Sequence, residues 1–184
     1  PVLSLEVSAE SRFSLGVFGG YESHDVSFDN SSGQIDLLFE PEDSGTSLGA
    51  MLAYDLAENW SVTAEYSYND ADDVEIQQAY GSLSYHIPIQ DSLWTLKLGG
   101  LAGYSWLEWQ EDPVSTLNRD PDSDQWVLGA QAEIEYAMGP DWRLSLRYQY
   151  WGTDHKTKIR TFDGAATIHH EDQQNILLGL RRYF

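Results

Sequence analysis

One pattern limits what this chain can fold into: apolar and polar residues alternate with a period of two, and the alternation recurs about eight times. Side chains on one face of a β-strand have this spacing, whereas helical periodicity is weak throughout the chain. The pattern predicts eight strands. They lie near residues 11–28, 46–57, 60–69, 75–87, 92–110, 123–138, 142–161 and 170–184.

The connections between these strands alternate in length. Those near 58–59, 88–92 and 139–141 are short, while those after the first, fifth and seventh strands are long and polar. Short turns at one rim and longer loops at the other are typical of an up-and-down barrel. We therefore predict an all-β fold over residues 1–184, a single eight-stranded antiparallel barrel with both termini at the short-turn rim.

Alternation alone does not say which face of a barrel points outward, because a soluble barrel around a ligand has the same period. Here the polar face combines Gly, Ser and Thr with charges of both signs, which suits the narrow lumen of an eight-stranded membrane barrel. The predicted lumen charges are Arg12, Asp55, Glu65, Lys97, Glu133, Glu135, Arg143, Arg147 and Arg181.

Aromatic residues lie at both ends of the apolar face, and the chain holds 7 Trp and 11 Tyr. Such amphipathic rings favour the two membrane–water interfaces. The predicted girdles are Trp60, Trp94 and Trp142 at the short-turn end, and Tyr104, Trp106, Trp126, Tyr148 and Tyr150 at the other. Between them the apolar stretch per strand is about 9–11 residues, enough to cross a bilayer at a tilt. The alternation therefore indicates a transmembrane barrel with its apolar face toward lipid.

Composition narrows the function classes. The net charge is -20, which argues against nucleic-acid binding, and there is no cysteine for disulfides or thiolate metal sites. The mean hydropathy is -0.44, and no apolar run has the length of a transmembrane helix. The chain begins at Pro1 in a polar stretch, so we expect that a signal peptide has been removed.

Three segments carry a family resemblance: WSVTAEYSY at 60–68, WRLSLRYQY at 142–150 and ILLGLRRYF at 176–184. They resemble the outer-membrane β-barrel family that includes the OmpA-like barrels and the opacity and Ail-type surface proteins. The resemblance implies a place in the bacterial outer membrane, with lipid and lipopolysaccharide as surroundings. It also implies that the last strand, ending at Phe184, is read by the barrel-assembly machinery. Arg182 departs from the pattern at an outward position, where a long cation can reach the interface.

The predicted surface loops are strongly acidic. They could bind divalent cations loosely or meet a basic protein partner. Their acidic residues are Asp36, Glu40, Glu42, Asp43, Asp70, Asp72, Asp73, Glu75, Glu111, Asp112, Asp120, Asp122 and Asp124. Beyond such loose binding we predict no cofactor. Four residues are metal candidates if a hairpin brings them together: His155, His169, His170 and Glu171. Three alternating cations could contact lipopolysaccharide phosphates: Lys156, Lys158 and Arg160.

These features predict a non-enzymatic barrel whose protruding strands and loops carry an envelope-structural, recognition or adhesion role. A narrow channel for small solutes is the alternative, although paired charges would plug the bore. An enzyme acting on lipid A is a further alternative, since some eight-stranded barrels have that activity. Its candidate residues are Ser84 with His86, and His24 with Asp25 and Ser27. We predict no catalytic residues.

Overall fold

The computed structural model describes residues 13–30, 43–71, 74–110, 118–120, 123–160 and 165–184. The strands are β1 (Phe13–Asn30), β2 (Ser44–Ala57), β3 (Trp60–Ala71), β4 (Val74–Pro88), β5 (Trp94–Trp109), β6 (Asn118–Asp120), β7 (Ser123–Ala137), β8 (Trp142–Arg160) and β9 (Ala165–Tyr183). The bounds agree with the sequence prediction to within a few residues, with two exceptions. The last strand begins at Ala165 rather than near 170, and the three-residue β6 was not predicted.

Eight of these strands close into a barrel. Each long strand pairs antiparallel with the next one along the chain, and β1 pairs with β9 to complete the ring. The short β6 adds only to the upper end of β8. The predicted eight-stranded antiparallel barrel is confirmed. Closure gives each of the eight long strands a partner on both sides, which a sheet in hydrocarbon requires.

The pleat places apolar side chains on the outer surface of the lower barrel. In β8, Leu146 and Tyr148 are exposed while Arg147 and Gln149 are buried. The same arrangement recurs around the ring, and Trp126 is 79% exposed. A monomer in water does not expose a continuous apolar belt of this kind, so the outer face suits lipid. Within the described residues, no helix is long and apolar enough to cross a membrane.

Above this belt, toward the long-loop end, the arrangement is reversed. Apolar side chains there point inward and pack into one cluster, which we call the outer cap. Its members are Val26, Ala71, Val74, Ile76, Leu107, Trp109 and Ile168. On the outer face at this height, Ser27, Lys156 and Lys158 are exposed. The upper barrel is therefore built like a soluble protein.

The strands that project furthest agree in part with expectation. The length of the patterned segments predicts that the first, fifth and seventh of the eight predicted strands project. The first and seventh are β1 and β8, with 18 and 19 residues, but the third of the longest strands is β9, with 19 residues, and not the fifth. The fifth strand has 16 residues and ends at Trp109. The burial of Ile168 in the outer cap gives β9 a reason to continue upward, because it removes an apolar side chain from water.

Candidate functional site

The lumen of the lower barrel holds a network of buried charges. The Arg147 guanidinium pairs with Glu65 and, through Nε at 3.2 Å, with Glu133. Arg181 Nη2 donates to Glu133 Oε1 at 2.9 Å, so Glu133 bridges the two arginines. All four side chains are almost fully buried. Each buried charge therefore has at least one opposite partner, which such burial requires.

The network continues toward the short-turn rim through Glu135. Lys97 Nζ donates to Glu135 Oε2 at 2.8 Å, and Arg143 Nε lies 3.9 Å from the same carboxylate. Asp55 is half-buried nearby, and its carboxylate is attracted by the positive charges of Lys97 and Arg181. The structure thus brings together every predicted lumen charge except Arg12, which lies outside the described residues.

Apolar groups also enter this part of the bore, which the sequence analysis did not identify. Phe18, Met51 and Leu177 form a buried cluster. The Arg147 guanidinium carbon lies 5.4 Å from the centre of the Phe18 ring. Paired charges and an apolar cluster therefore share this part of the bore.

A layer of amides crosses the bore above the charges. Gln78 Nε2 donates to Gln173 Oε1 at 2.7 Å, and Gln131 Nε2 donates to Ser84 Oγ at 2.9 Å. Gln149 Nε2 lies 3.3 Å from the Tyr80 hydroxyl. This amide layer joins side chains from opposite walls, because Gln78 lies on β4 and Gln173 on β9. It closes the bore at a second level.

Glycine makes room for the large rings of the amide layer. The Tyr80 ring contacts Trp151 edge-on, with ring centres 4.8 Å apart, and Trp151 has no exposed surface. A Cβ added at Gly103 would lie 2.4 Å from Tyr80 Cβ, far inside van der Waals contact. Gly103 therefore admits the tyrosine into a narrow barrel.

Higher still, β9 changes which of its residues face the lumen. The pairing of β1 with β9 shifts register between Ser23 and Asp25, and that of β8 with β9 shifts between Trp151 and Asp154. Both shifts fall at Asp172 on β9. Its φ is 46°, the left-handed conformation that short polar residues tolerate best. Such irregularities redirect side chains and are frequent near binding sites.

The shift separates the predicted metal candidates into two groups. Below it the inward residues of β9 have odd numbers, such as Gln173 and Asn175, but above it His170 faces inward and His169 outward. His170 is the direct cross-strand partner of the inward His155. His169 instead lies with Glu171 and Asp154 on the outer face, where their ligand atoms all lie within 4.8 Å of one another. The four candidates therefore do not form one cluster.

The inward group forms a layer that we call the histidine layer, composed of Glu22, His24, His155 and His170. The His24 and His170 ring centres are 5.0 Å apart, and His24 Nδ1 lies 3.5 Å from Glu22 Oε1. His155 contacts Ser105 Oγ at 2.9 Å and Ser123 Oγ at 3.1 Å. The sequence analysis missed Glu22 as part of this layer and considered His24 only as a catalytic candidate.

The histidine layer lies above the lipid-facing belt, since polar Lys156 and Asp25 cover its outer side. Burial lowers the pKa of His155 to about 4 and that of His170 to about 3. Desolvation disfavours the charged imidazolium, and the neighbouring histidines add to the effect on His170. Both imidazoles are therefore neutral at pH 7, the form that binds metal ions.

The predicted aromatic girdles lie outward at the two ends of the belt. At the short-turn end Trp60 contacts Tyr85 with ring centres 5.1 Å apart, and Trp94 contacts Tyr136 at 4.7 Å. Trp142, at the same end, carries the Arg182 guanidinium over its ring. At the other end the outward rings are Tyr104, Trp106, Trp126, Tyr148 and Tyr150. The two ring belts bound the apolar surface between them.

The lipid A enzyme candidates do not assemble. His24 is buried inward while Asp25 and Ser27 are exposed on the opposite face of β1, so these three cannot act on one substrate. His86 Nε2 contacts Ser61 Oγ at 2.8 Å, and Ser84 lies in the lumen as an acceptor for Gln131. The alternation of β-strand side chains explains why His24 is separated from Asp25 and Ser27, because residues an odd number of positions apart face opposite sides of the sheet.

The remaining surface candidates are described in part. Lys156 and Lys158 are exposed, and Lys156 Nζ lies 2.6 Å from Asp154 Oδ2. Among the predicted acidic loop residues, the side chains of Asp43, Asp70, Glu75 and Asp124 are described. The side chains of Arg160 and of the other acidic loop residues lie outside the described part of the chain. They are Asp36, Glu40, Glu42, Asp72, Asp73, Glu111, Asp112, Asp120 and Asp122.

A closed barrel with an apolar outer face, two aromatic girdles and a charged lumen defines the class of eight-stranded outer-membrane barrels. The chain belongs to the outer membrane protein beta-barrel family, whose domain model matches residues 1–184. The structure is similar to that of Neisserial surface protein A, at 16% identity over 94% of this chain and 97% of that one, with a TM-score of 0.65.

Two further solved structures share the fold. The outer membrane protein OprG from Pseudomonas aeruginosa is 18% identical over 93% of this chain and 96% of that one, with a TM-score of 0.55. The outer membrane protein AlkL, solved in lipid bilayers, is 15% identical over 92% of this chain and 90% of that one, with a TM-score of 0.54. None of the curated protein sequences matches the chain significantly. At these identities the likeness supports the fold and not a particular activity.

Proposed function

We propose that this protein is a closed, non-enzymatic barrel that anchors a recognition surface in the bacterial outer membrane. The observation that carries the proposal is the filling of the bore at successive levels. From the short-turn end upward, the lumen holds the charge network, the amide layer, the histidine layer and the outer cap. Ions crossing such a bore would have to separate buried ion pairs, which costs several kcal/mol per charge.

The projecting part supports a role in recognition. The upper ends of β1, β8 and β9 stand above the lipid belt as a sheet with a polar outer face, and Val26 and Ile168 on its inner face pack into the outer cap. A sheet that keeps its own core above the membrane is a rigid platform, and rigid platforms position loops for binding.

The charge of this platform suggests the partner's chemistry. Within the charge network, cations and carboxylates balance each other, four against four, when Asp55 and Arg143 are counted. The net charge of -20 therefore lies on the rest of the chain, much of it in the acidic connections. Such a surface attracts a cationic partner, while Lys156 and Lys158 sit where lipopolysaccharide phosphates would meet the barrel.

Conductance across a planar bilayer tests the closed bore. We expect the purified barrel to insert without producing steady current steps, with insertion confirmed by protection of its lower strands from protease. Steady nanosiemens-scale steps from the wild type would refute the closed barrel and favour the small-solute channel.

The recognition surface is tested separately with the barrel reconstituted in neutral lipid vesicles. A fluorescent lysine-rich peptide should bind and be released as salt rises, because screening weakens contacts between exposed charges. A glutamate-rich peptide of the same length is the control. Equal binding of the two peptides would contradict an acidic recognition surface.

A further inference from the structure

Carboxylates from three adjacent strands lie side by side on the outer face, above the lipid-facing belt. Asp25 on β1 and Asp154 on β8 are both direct cross-strand partners of Glu171 on β9. None of the three side chains is buried, and all three point away from the lumen. Like charges directly opposite each other in a sheet are destabilising, so this carboxylate row favours a cation among its members.

A histidine adds a nitrogen donor to this row. His169 lies two residues from Glu171 on the same face of β9, and its Nδ1 is 3.0 Å from Asp154 Oδ1 and 3.8 Å from Glu171 Oε1. We call Asp154, His169 and Glu171 the outer trio, whose ligand atoms all lie within 4.8 Å of one another. Two ligand atoms of one tetrahedral zinc are roughly 3.3 Å apart, so small side-chain movements bring the trio onto one ion.

The register shift at Asp172 creates this arrangement. Below the shift the odd-numbered residues of β9, such as Gln173, face the lumen. Above it the odd-numbered His169 and Glu171 face outward, beside Asp154. Without the shift these two side chains would point into the bore. The irregularity therefore brings an imidazole and two carboxylates to one place on the surface.

We propose that the outer trio binds a divalent transition-metal ion of the zinc class on the water-exposed face of the upper barrel. One imidazole with two carboxylates is a ligand set that suits such an ion, whereas calcium and magnesium prefer oxygen ligands alone. The ion offsets the negative charge of the carboxylate row and ties β8 to β9. Three protein ligands leave a fourth position open to water.

The second ring nitrogen of His169 supports the proposal. His169 Nε2 lies 3.8 Å from Asp29 Oδ2 on β1. A metal-binding imidazole usually donates its other N–H to a carboxylate or carbonyl, which fixes the orientation of the ring. The Asp29 side chain is 87% exposed and is therefore free to close this distance. The histidine thus has a carboxylate on the side opposite the proposed ion.

Two cations compete with a metal ion for the same carboxylates. Lys156 Nζ lies 2.6 Å from Asp154 Oδ2, whereas Oδ1 of the same carboxylate faces His169. Lys156 and Asp154 are both half-exposed, and such pairs contribute little in water. The other competitor is His169 itself, which as an imidazolium would pair with Asp154 and Glu171 without any metal. The experiment must separate this second case from metal binding.

The test measures Zn²⁺ binding by calorimetry at neutral pH, using the full chain without a histidine tag and refolded in detergent. We expect one Zn²⁺ per barrel, which an equal concentration of Ca²⁺ does not displace. His169→Gln and Asp154→Asn should each lower the affinity by at least about tenfold, because each removes a direct ligand. Lys156→Ala should raise it by about two- to fivefold, because a competitor for Asp154 is lost. Lys158→Ala, which removes an equal charge further up β8, is the control and should change it less.

Three results would overturn the proposal. If the folded wild type binds no zinc, the carboxylates hold His169 as an imidazolium only. If Ca²⁺ displaces the ion, or if His169→Gln keeps the wild-type affinity, general acidity of the surface accounts for the binding. Should the variants fail to form a compact barrel on a gel, NMR of the wild type decides: Zn²⁺ must shift the ring signals of His169, and a shift of His24 or His170 instead would place the ion in the lumen.

Discussion

The lower and upper halves of this barrel use the same strands in opposite ways. In β8, Leu146 faces lipid and Arg147 faces the lumen, whereas further up the same strand Lys156 faces outward and Thr157 inward beside the apolar outer cap. Apart from the register shift at Asp172 on β9, the alternation continues through both halves, but the apolar side changes from the outer face to the inner one. The solvent around each half accounts for the change, because lipid favours apolar groups outside and water favours them inside.

This comparison explains why the lumen charges are paired so completely. In the lower half the core of the protein is largely polar, so stability there depends on matched charges in addition to the small apolar cluster of Phe18, Met51 and Leu177. In the upper half the outer cap supplies an ordinary apolar core. Substitutions of the same kind should therefore have different effects in the two halves.

The largest effect is expected from Arg147→Ala in the lower half. It leaves Glu65 and Glu133 short of a buried partner, so the free energy of unfolding should fall by about 3–5 kcal/mol. Arg182→Ala, on the outer surface, is the control and should change stability little. Urea unfolding in lipid vesicles measures both. Similar losses of stability for the two variants would show that the buried lumen ion pairs contribute no more to stability than an arginine on the outer surface.

The outer cap should respond to loss of apolar volume. Leu107→Ala removes a fully buried side chain and should cost about 2–5 kcal/mol, seen as faster amide exchange in the upper strands. Leu144→Ala is the matched variant on the lipid face, where acyl chains can fill the space, and it should cost much less. If Leu144→Ala lowers stability more than Leu107→Ala, the assignment of an apolar interior to the upper half and a lipid-facing surface to the lower half is wrong.

A charge placed on the outer face separates the halves directly. Leu146→Arg lies midway between the girdles and should cost about 2–4 kcal/mol, because it puts a cation in hydrocarbon. Ser27→Arg lies on the outer face above the belt and should be nearly neutral. Equal tolerance of arginine at both positions in vesicle unfolding would place Leu146 outside the bilayer.

The smallest effect is expected from Lys156→Ala. Its pairing with Asp154 is exposed to water and screened by salt, so stability should not change measurably. Thermal unfolding at low and high salt checks this. A large loss of stability at low salt would contradict this expectation and show that the Lys156–Asp154 ion pair stabilises the upper part of the barrel.

Much of the architecture could be predicted because the period-two pattern and the short turns are local signals. The strand bounds, the barrel, the lumen charges of β7 and the girdle tryptophans all follow from residues a few positions apart. Leu107 and Trp109 also carried a signal that was missed, since they are apolar at inward positions beyond the girdle.

The histidine layer could not be predicted in the same way. His169 and His170 are adjacent, and only the register shift at Asp172 decides which one faces inward. At that shift, the numbers of residues between successive pairs differ among β1, β8 and β9. The shift is therefore a property of the three strands together and cannot be predicted from one of them. Glu22 and His24, in contrast, continue the even-numbered inward positions of β1 below them, so alternation alone places both in the lumen.

The reversal between the halves is tested most directly by fluorescence quenching of single-tryptophan barrels in vesicles of brominated lipid. Trp126, Trp151 and Trp109 represent the lipid face, the lumen and the outer cap. The account predicts strong quenching of Trp126 and little quenching of the other two. Strong quenching of Trp151 with a protected Trp126 would contradict it.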